Sequence, residues 1–411
     1  MDRLPEENNT RASSDGAGYV FHQRISVPYD YPVYFTRGVV GADNDLLADI
    51  LDRRHEGRRH RVMVFVDSGV AATHENLIDR VREYFHRRLD RLELAGCPEV
   101  IPGGENAKNG WQKVRDIMFN LGSLHLDRQS FVLAIGGGSL LDMIGFATSI
   151  VHRGLRLVRM PTTTLAQNDA GVGVKNGMNE HRQKNFVGTF APPFAVINDF
   201  DFLPTLKPCD WIGGVAEAFK VALIKDAGFF DDLCASADRL AERDLQAMQQ
   251  VVRRCAVLHL QHIHSNGDPF EFGSARPLDF GHWAAHKLET LTDYRLGHGQ
   301  CVAIGLALDS YYAMRHDLLA PEDLERIIDA TVRCGLPIWT AELGWRDSDG
   351  APVILEGLEQ FREHLGGRLT VTLPNGVGQK CEVHAMNPNV IEEGIGYLEQ
   401  RAKAHERKSR Q

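Results

Sequence analysis

Three residues have the chemistry to hold a catalytic metal: Glu217 in GGVAEAFK, His282 in LDFGHWAAHK and His298 in RLGHGQ. One carboxylate and two imidazoles leave coordination positions open, as a catalytic zinc requires and a structural zinc does not. A plainer reading stands beside this one, because a lone histidine on a helix is more often a hydrogen-bonded core or surface residue, and 18 histidines supply chance pairs. His282 and His286 are four apart on one helical face, but Trp283 stands where a zinc protease needs its glutamate, so His286 is assigned to substrate or proton transfer. The densest chemistry lies in PTTTLAQNDAGVGVKNGMNEHRQKNFVGTFAPP, with Asp169, Lys175, Lys184 and Asn185 among small residues. The plain reading is a solvated loop. Lysines held in a pocket would instead be costly without an anionic ligand, and a phosphorylated small molecule would neutralise them.

A second set of residues suits a nucleotide. The run SFVLAIGGGSLLDMIGFA places Gly136, Gly137 and Gly138 between an apolar strand and an apolar helix, where free N–H groups at a helix N-terminus can hold a diphosphate. Alone this is a weak signal, since strand-to-helix turns are often glycine-rich for packing. A separate turn from Pro102 to Lys108 carries Glu105 and Lys108, and Asp67 ends VMVFVDSGV, where an acid can accept from a ribose hydroxyl. In this order, at strand ends, these pieces favour a dinucleotide site.

The elements that must position these residues follow from periodicity. Short apolar β-rich runs (RVMVFVDSGV, CPEVIP, SFVLAIGGG, LVRMPTTTL) alternate with helical patterns such as VREYFHRRLDRLEL, which predicts a parallel sheet with crossover helices. After Pro208 the texture turns to long amphipathic segments, Asp210 to Lys225, Phe229 to His264, Asp279 to Thr290 and Val302 to His316, with no β-rich run until LTVTLP. The expected organisation is a disordered tail over 1–18, an α/β nucleotide-binding domain over 19–207, a mainly helical metal and substrate domain over 208–400, and a basic tail over 401–411. With 43% hydrophobic and 25% charged residues and a net charge of −9, the chain reads as a soluble globular protein without the footprint of a nucleic-acid binder. Seven scattered cysteines with no CxxC spacing, no signal peptide and no membrane-spanning run lead us to expect a cytoplasmic protein with reduced thiols.

From about Phe21 to Leu398 the chain resembles the sugar phosphate cyclases, the superfamily of dehydroquinate synthase, through the ordered motifs GGENAK, GGGSLLD, RGLRLVRMPTTTLAQNDAGVGVK, KN, GGVAEAFK, DFGHWAAH and GHG. The resemblance implies a Rossmann-like NAD-binding N-terminal domain, a helical C-terminal domain, and zinc or cobalt in the cleft between them. It implies Glu217, His282 and His298 as metal ligands. It implies cofactor contacts from Asp67, Glu105, Lys108, Gly136, Gly137, Gly138, Asp142, Thr162, Thr163, Leu165, Phe202, Thr205 and Leu206. The substrate pocket would use Asp169, Lys175, Lys184, Asn185, Lys220 and His286, with Arg153 reaching a phosphate across a homodimer interface. The implied chemistry is oxidation of a ring hydroxyl by NAD, β-elimination of phosphate, return of the hydride, and ring opening before an intramolecular aldol closure.

Departures from the dehydroquinate synthase pattern point to the substrate. Before the first metal histidine this chain reads Arg276-Pro277-Leu278-Asp279, with Asp279 in place of an asparagine and the arginine one residue closer. An expected upstream lysine is absent around His262, and His364 in FREHLGG stands where a lysine is expected. Losing cations that would pair with a carboxylate suits a neutral hydroxymethyl, since an unpaired buried carboxylate is expensive. The wording is also similar to the branch that cyclises sedoheptulose 7-phosphate to valiolone-type cyclitols. The expected partner is thus a phosphorylated seven-carbon sugar, with no nucleic acid and no membrane. The rivals are dehydroquinate synthase proper, an NAD- and metal-dependent polyol dehydrogenase, and an inactive NAD-binding homologue.

Overall fold

The computed structural model describes Gln23 and residues 25–181, 183–265, 270, 277–364 and 367–409. The expected disordered tail and Arg276 lie outside these, as do the last two residues of the expected basic tail. Residues up to Asp30 form a unit of their own, whose described part is exposed and without regular structure. Tyr31–Gln411 is one compact unit.

Its strands are β1 (Val33–Thr36), β2 (His60–Asp67), β3 (Leu92–Leu94), β4 (Glu99–Ile101), β5 (Phe131–Gly136), β6 (Arg156–Pro161), β7 (Lys175–Glu180), β8 (Gln183–Phe190), β9 (Ala195–Asp199), β10 (Val371–Pro374) and β11 (Lys380–Val383). The helices are α1 (Leu46–Leu51), α2 (Ser68–Thr73), α3 (Leu77–His86), α4 (Gln112–Ser123), α5 (Gly138–Ile150), α6 (Pro208–Lys225), α7 (Ala227–Ala241), α8 (Leu245–Ser265), α9 (His282–Leu291), α10 (His298–Arg315), α11 (Pro321–Arg333), α12 (Glu356–His364) and α13 (Pro388–Ser409).

Strands run parallel in the order β1-β9-β6-β5-β2-β3, with β4 also on β2. Residues of β5 are buried along its whole length, as expected of a strand covered by helices on both faces. The chain leaves β2 toward β3 and β4 on one side and returns to β5 on the other, so the order reverses between β2 and β5. Ligands of such sheets bind in the crevice at that reversal, beyond the carboxyl ends of the strands. From α6 onward the chain is helical around one large apolar core, apart from the β10–β11 pair. This is the expected α/β half followed by a mainly helical half.

Two local expectations are corrected. The segment KNGMNEHRQKN is not a loop but the antiparallel β7–β8 hairpin. The single helical segment expected from Phe229 to His264 is two helices, broken where Arg243 takes a left-handed φ of 64° and the Asp244 carboxylate accepts from Gln246 N and Ala247 N to start α8. At the C-terminus α13 stays helical through Ser409, and no described helix is long and apolar enough to cross a membrane. All seven cysteines are unpaired.

Candidate active site

Helix α6 opens on Pro208, whose fixed φ suits a first helical turn, and it is apolar on nearly every face, so it runs buried. Glycine lets α10 approach it: a Cβ on Gly299 would lie 2.1 Å from the Gly213 carbonyl oxygen. That crossing brings His298, the first residue of α10, to Glu217 one turn along α6. His282, the first residue of α9, completes the group, and the three ligand atoms lie within 4.8 Å of one another. Glu217 Oε1 is 3.2 Å from His298 Nε2 and 3.7 Å from His282 Nε2. The other ring nitrogens are taken: His282 Nδ1 lies 3.0 Å from the Phe280 carbonyl and His298 Nδ1 2.6 Å from Glu289 Oε1. With each Nδ1 engaged outward, both Nε2 atoms face Glu217, and these are the atoms a metal would take.

Both Glu217 oxygens are fully buried without a hydrogen bond of good geometry, although the Lys220 ammonium lies against Oε2. Burial would raise the Glu217 pKa, but Lys220 prevails and holds it at about 2. Burial and Lys184 oppose a proton on His298, yet Glu289 and Glu217 raise it to about 9. Two imidazoles and a buried carboxylate whose ligand atoms converge on one point are a donor set that fits a divalent metal of the zinc type.

Around this centre sit paired charges. Asp169, in the π-helical turn Ala166–Ala170 after β6, is 2.8 Å from His259 Nδ1 and 4.0 Å from Lys220 Nζ. Against the penalty of burial, Lys220 and His259 hold its carboxyl well below the usual range. Lys220 is likewise kept charged despite burial, by Asp169 and Glu217 with a contribution from Asp279. Lys184 Nζ donates to both oxygens of Glu289 at 2.9 Å. His286 is exposed, its ring 5.4 Å from that of His282, and the loss of solvent around its ring lowers the pKa of its imidazole.

On the cofactor side, Asp67 ends β2 and its Oδ1 accepts from Gly69 N at 2.7 Å, so this acid also caps α2. A Cβ on Gly103 would fall 1.9 Å from Asp67 Oδ2, and only glycine leaves that carboxylate its place. Gly136 ends β5, Gly137 is the N-cap of α5 and Gly138 begins it, directing free amides into the crevice. Glu105 accepts from Ser139 Oγ at 2.9 Å and Asn179 Nδ2 at 3.0 Å. Lys108, 1% exposed, donates to Asp142 at 2.7 Å and to Asn185 Oδ1, tying the turn to the β7–β8 hairpin. Thr162 Oγ1 is buried without a partner, and Thr163 Oγ1 accepts from Ala166 N, with Leu165 capping the next turn. Beyond β9, Thr205 Oγ1 lies 2.9 Å from His74 Nε2, Phe202 packs edge-on to that ring, and Leu206 follows. An orphaned hydroxyl, a glycine-cleared acid and helix-terminal amides fit a dinucleotide.

Arg153 follows α5 exposed, with φ 64°, and Lys175 is exposed at the start of β7. His364 ends α12, and its side chain is outside what the structure describes. Glu289 and His259 were not singled out from sequence. Glu289 had a signal, since His282, His286 and Glu289 share one face of α9 at helical spacing. His259 had none, because its contact with Asp169 joins distant segments.

The comparisons agree with this geometry. Residues 99–212 match the family model for the 3-dehydroquinate synthase N-terminal domain, and residues 214–351 that for its C-terminal domain. A 3-dehydroquinate synthase of Geobacter sp. (strain M21) is 38% identical over 275 residues, covering 66% of this chain and 75% of the relative. One from Cereibacter sphaeroides is 34% identical over 328 residues, covering 78% and 84%. Among solved structures, the 2-epi-5-epi-valiolone synthase ValA of Streptomyces hygroscopicus subsp. jinggangensis 5008, with NAD+ and Zn2+ bound, superposes with TM-score 0.81 at 28% identity, over 93% of this chain and 100% of that one. A 2-deoxy-scyllo-inosose synthase with NAD+ and Co2+ shares the fold, at TM-score 0.71 and 21% identity over 88% of this chain and 95% of that one. The chain belongs to the 3-dehydroquinate synthase family of sugar phosphate cyclases.

Proposed function

We propose that the protein cyclises a heptulose 7-phosphate to a carbocyclic cyclitol with loss of phosphate, and that its substrate is sedoheptulose 7-phosphate. The observation that carries this choice is Asp279. It lies just before α9, half-buried, and its negative charge reaches both Lys220 and His282. A carboxylate there repels a carboxylate-bearing substrate and accepts a hydrogen bond from a hydroxymethyl group. Likeness to the valiolone synthase supports the same reading. The names of the relatives at 38% and 34% identity favour a second one, 3-dehydroquinate synthase proper.

Glu217, His282 and His298 would hold zinc or cobalt, and the Gly136–Gly138 turn with Asp67, Glu105 and Thr162 would hold NAD; bound there, the two supply a Lewis acid and a reversible hydride acceptor. Asp169, kept ionised, accepts from a ring hydroxyl and fixes its orientation. Lys220, kept cationic, donates to substrate oxygens and offsets negative charge that develops on them. Neutral His286 is free to take a proton at a ring nitrogen. Lys184 and Asn185, side by side on β8, meet the phosphate, with the partner Glu289 already holding the lysine in place.

The test is kcat/KM for sedoheptulose 7-phosphate against the heptulosonate phosphate, with NAD+ and zinc present, read by phosphate release. Two lost charge-assisted hydrogen bonds, about 1.5–3 kcal/mol each, predict a preference of roughly hundreds for the neutral sugar. Clear preference for the heptulosonate overturns the substrate and leaves the family intact.

A further inference from the structure

Both imidazoles of the candidate metal site sit on the first residue of a helix, where the backbone is least restrained by intrahelical hydrogen bonds. The N-cap residues before them, Gly281 and Gly297, have no side chain with which to cap those turns. At Gly297 the chain compensates locally, because Gln300 Oε1 accepts from Gly297 N at 3.0 Å. At Gly281 the compensation comes from another helix. Asp309, on α10, accepts from Gly281 N at 3.0 Å through Oδ2 and from Trp283 Nε1 at 2.8 Å through Oδ1. Its two donors are the residues on either side of His282.

The surrounding packing keeps this contact in register. Gly281 adopts φ +77°, and a Cβ there would meet Leu306 N at 2.9 Å. A Cβ on Gly305, one turn before Asp309, would come 2.1 Å from the Gly281 carbonyl oxygen. The two backbones are therefore in contact where α9 begins. Asp309 is 0% exposed and Trp283 1%, and Asp309 has no ion-pair partner among the described residues.

A carboxyl group buried without a cation is an expensive way to fill a core, and a leucine would serve packing better. Burial pushes the Asp309 carboxyl up to about 7, which registers that expense. What a leucine cannot do is accept two hydrogen bonds, and an asparagine can offer only one oxygen, setting its NH2 against the second donor.

We propose that Asp309 is a positioning residue for the metal site: by accepting from Gly281 N and Trp283 Nε1 it locks the first turn of α9 against α10 and so fixes His282 relative to His298. This rests on the reading of Glu217, His282 and His298 as metal ligands. Groups behind metal ligands commonly change affinity by about 10–100-fold when removed.

The experiment measures the zinc dissociation constant by chelator competition, and the visible spectrum of the cobalt-substituted protein, for the full-length wild type, Asp309→Asn, Asp309→Leu and Trp283→Phe. Leu240→Ala, in the core at the C-terminal end of α7, serves as a control for destabilisation alone. The expected result is zinc binding at least about 10-fold weaker in Asp309→Asn, weaker still in Asp309→Leu and intermediate in Trp283→Phe, with altered cobalt bands. Leu240→Ala should unfold more easily yet bind zinc within about twofold of wild type. If Asp309→Leu does not fold, the asparagine and phenylalanine variants decide. Zinc affinity within about twofold of wild type in both, or a loss in Leu240→Ala equal to theirs, overturns the proposal. A wild-type protein that takes up no zinc overturns the metal reading itself.

Discussion

Replacing Glu289 should damage the candidate metal centre and the proposed phosphate site together. Its carboxylate is 2% exposed and receives three charge-assisted hydrogen bonds, two from Lys184 Nζ at 2.9 Å and one at 2.6 Å from His298 Nδ1. Burial opposes ionisation, but Lys184 and His298 hold this carboxyl well below its usual range, so it is a full negative charge. Glu289→Ala leaves a buried ammonium and a buried ring N–H without acceptors. One-sided loss of a buried pair costs about 3–5 kcal/mol. Glu289→Gln keeps an oxygen for His298 Nδ1 but turns an NH2 toward Lys184, losing charge-assisted bonds of about 1.5–3 kcal/mol each. Zinc affinity should therefore fall roughly 10–100-fold in the alanine variant and much less in the glutamine variant, while both raise KM for a phosphorylated substrate. Chelator competition, denaturant unfolding and steady-state phosphate release read the three effects. An alanine variant that unfolds at the same denaturant concentration as wild type and binds zinc equally well would refute the assignment.

At the first residue of β6, Arg156 joins Arg58 in gripping Glu56 at 2.5 to 3.0 Å, and the two lower its carboxyl to about 2. The native state thus binds the proton more weakly than the unfolded chain, and the stabilisation is present above about pH 4.5 and lost as pH falls toward 2. Glu56→Gln should lower stability at pH 7 by about 1 kcal/mol after solvent screening, and unfolding curves of the two proteins should converge in acid; a gap unchanged at pH 3 contradicts this. Arg153 is exposed beside the end of α5, and the family resemblance implies that it would reach phosphate in a second subunit. Mixing Arg153→Ala with Lys175→Ala chains should restore part of the activity in hybrid dimers, and no recovery in hybrids shown to form would count against sharing.

What the sequence revealed follows physical lines. The Gly136–Gly138 turn was legible because an apolar strand, three glycines and an apolar helix leave few other conformations. The candidate metal trio was named through motif resemblance and ligand chemistry, since Glu217, His282 and His298 come from three helices and no local spacing encodes their meeting. The β7–β8 hairpin was missed because several of its inward positions are polar. Asn176 is buried against Arg159 and Asn179 against Glu105, so hydrogen bonds replace the apolar alternation by which a strand is recognised. The break between α7 and α8 was present in the sequence as Asp244, an N-cap overlooked inside a long amphipathic run. The Asp309 clamp had no sequence signal, because a buried acid on an apolar helix face declares itself only when its two donors are seen.

The most direct test of the central claim follows phosphate release and NADH absorbance in one reaction of purified protein, sedoheptulose 7-phosphate, zinc and a limiting amount of NAD+. The proposed reaction returns the hydride it removes, and it predicts many phosphates released for each NAD+ present, with no accumulation of NADH. A stoichiometric rise in NADH without phosphate release would contradict the account and identify a polyol dehydrogenase.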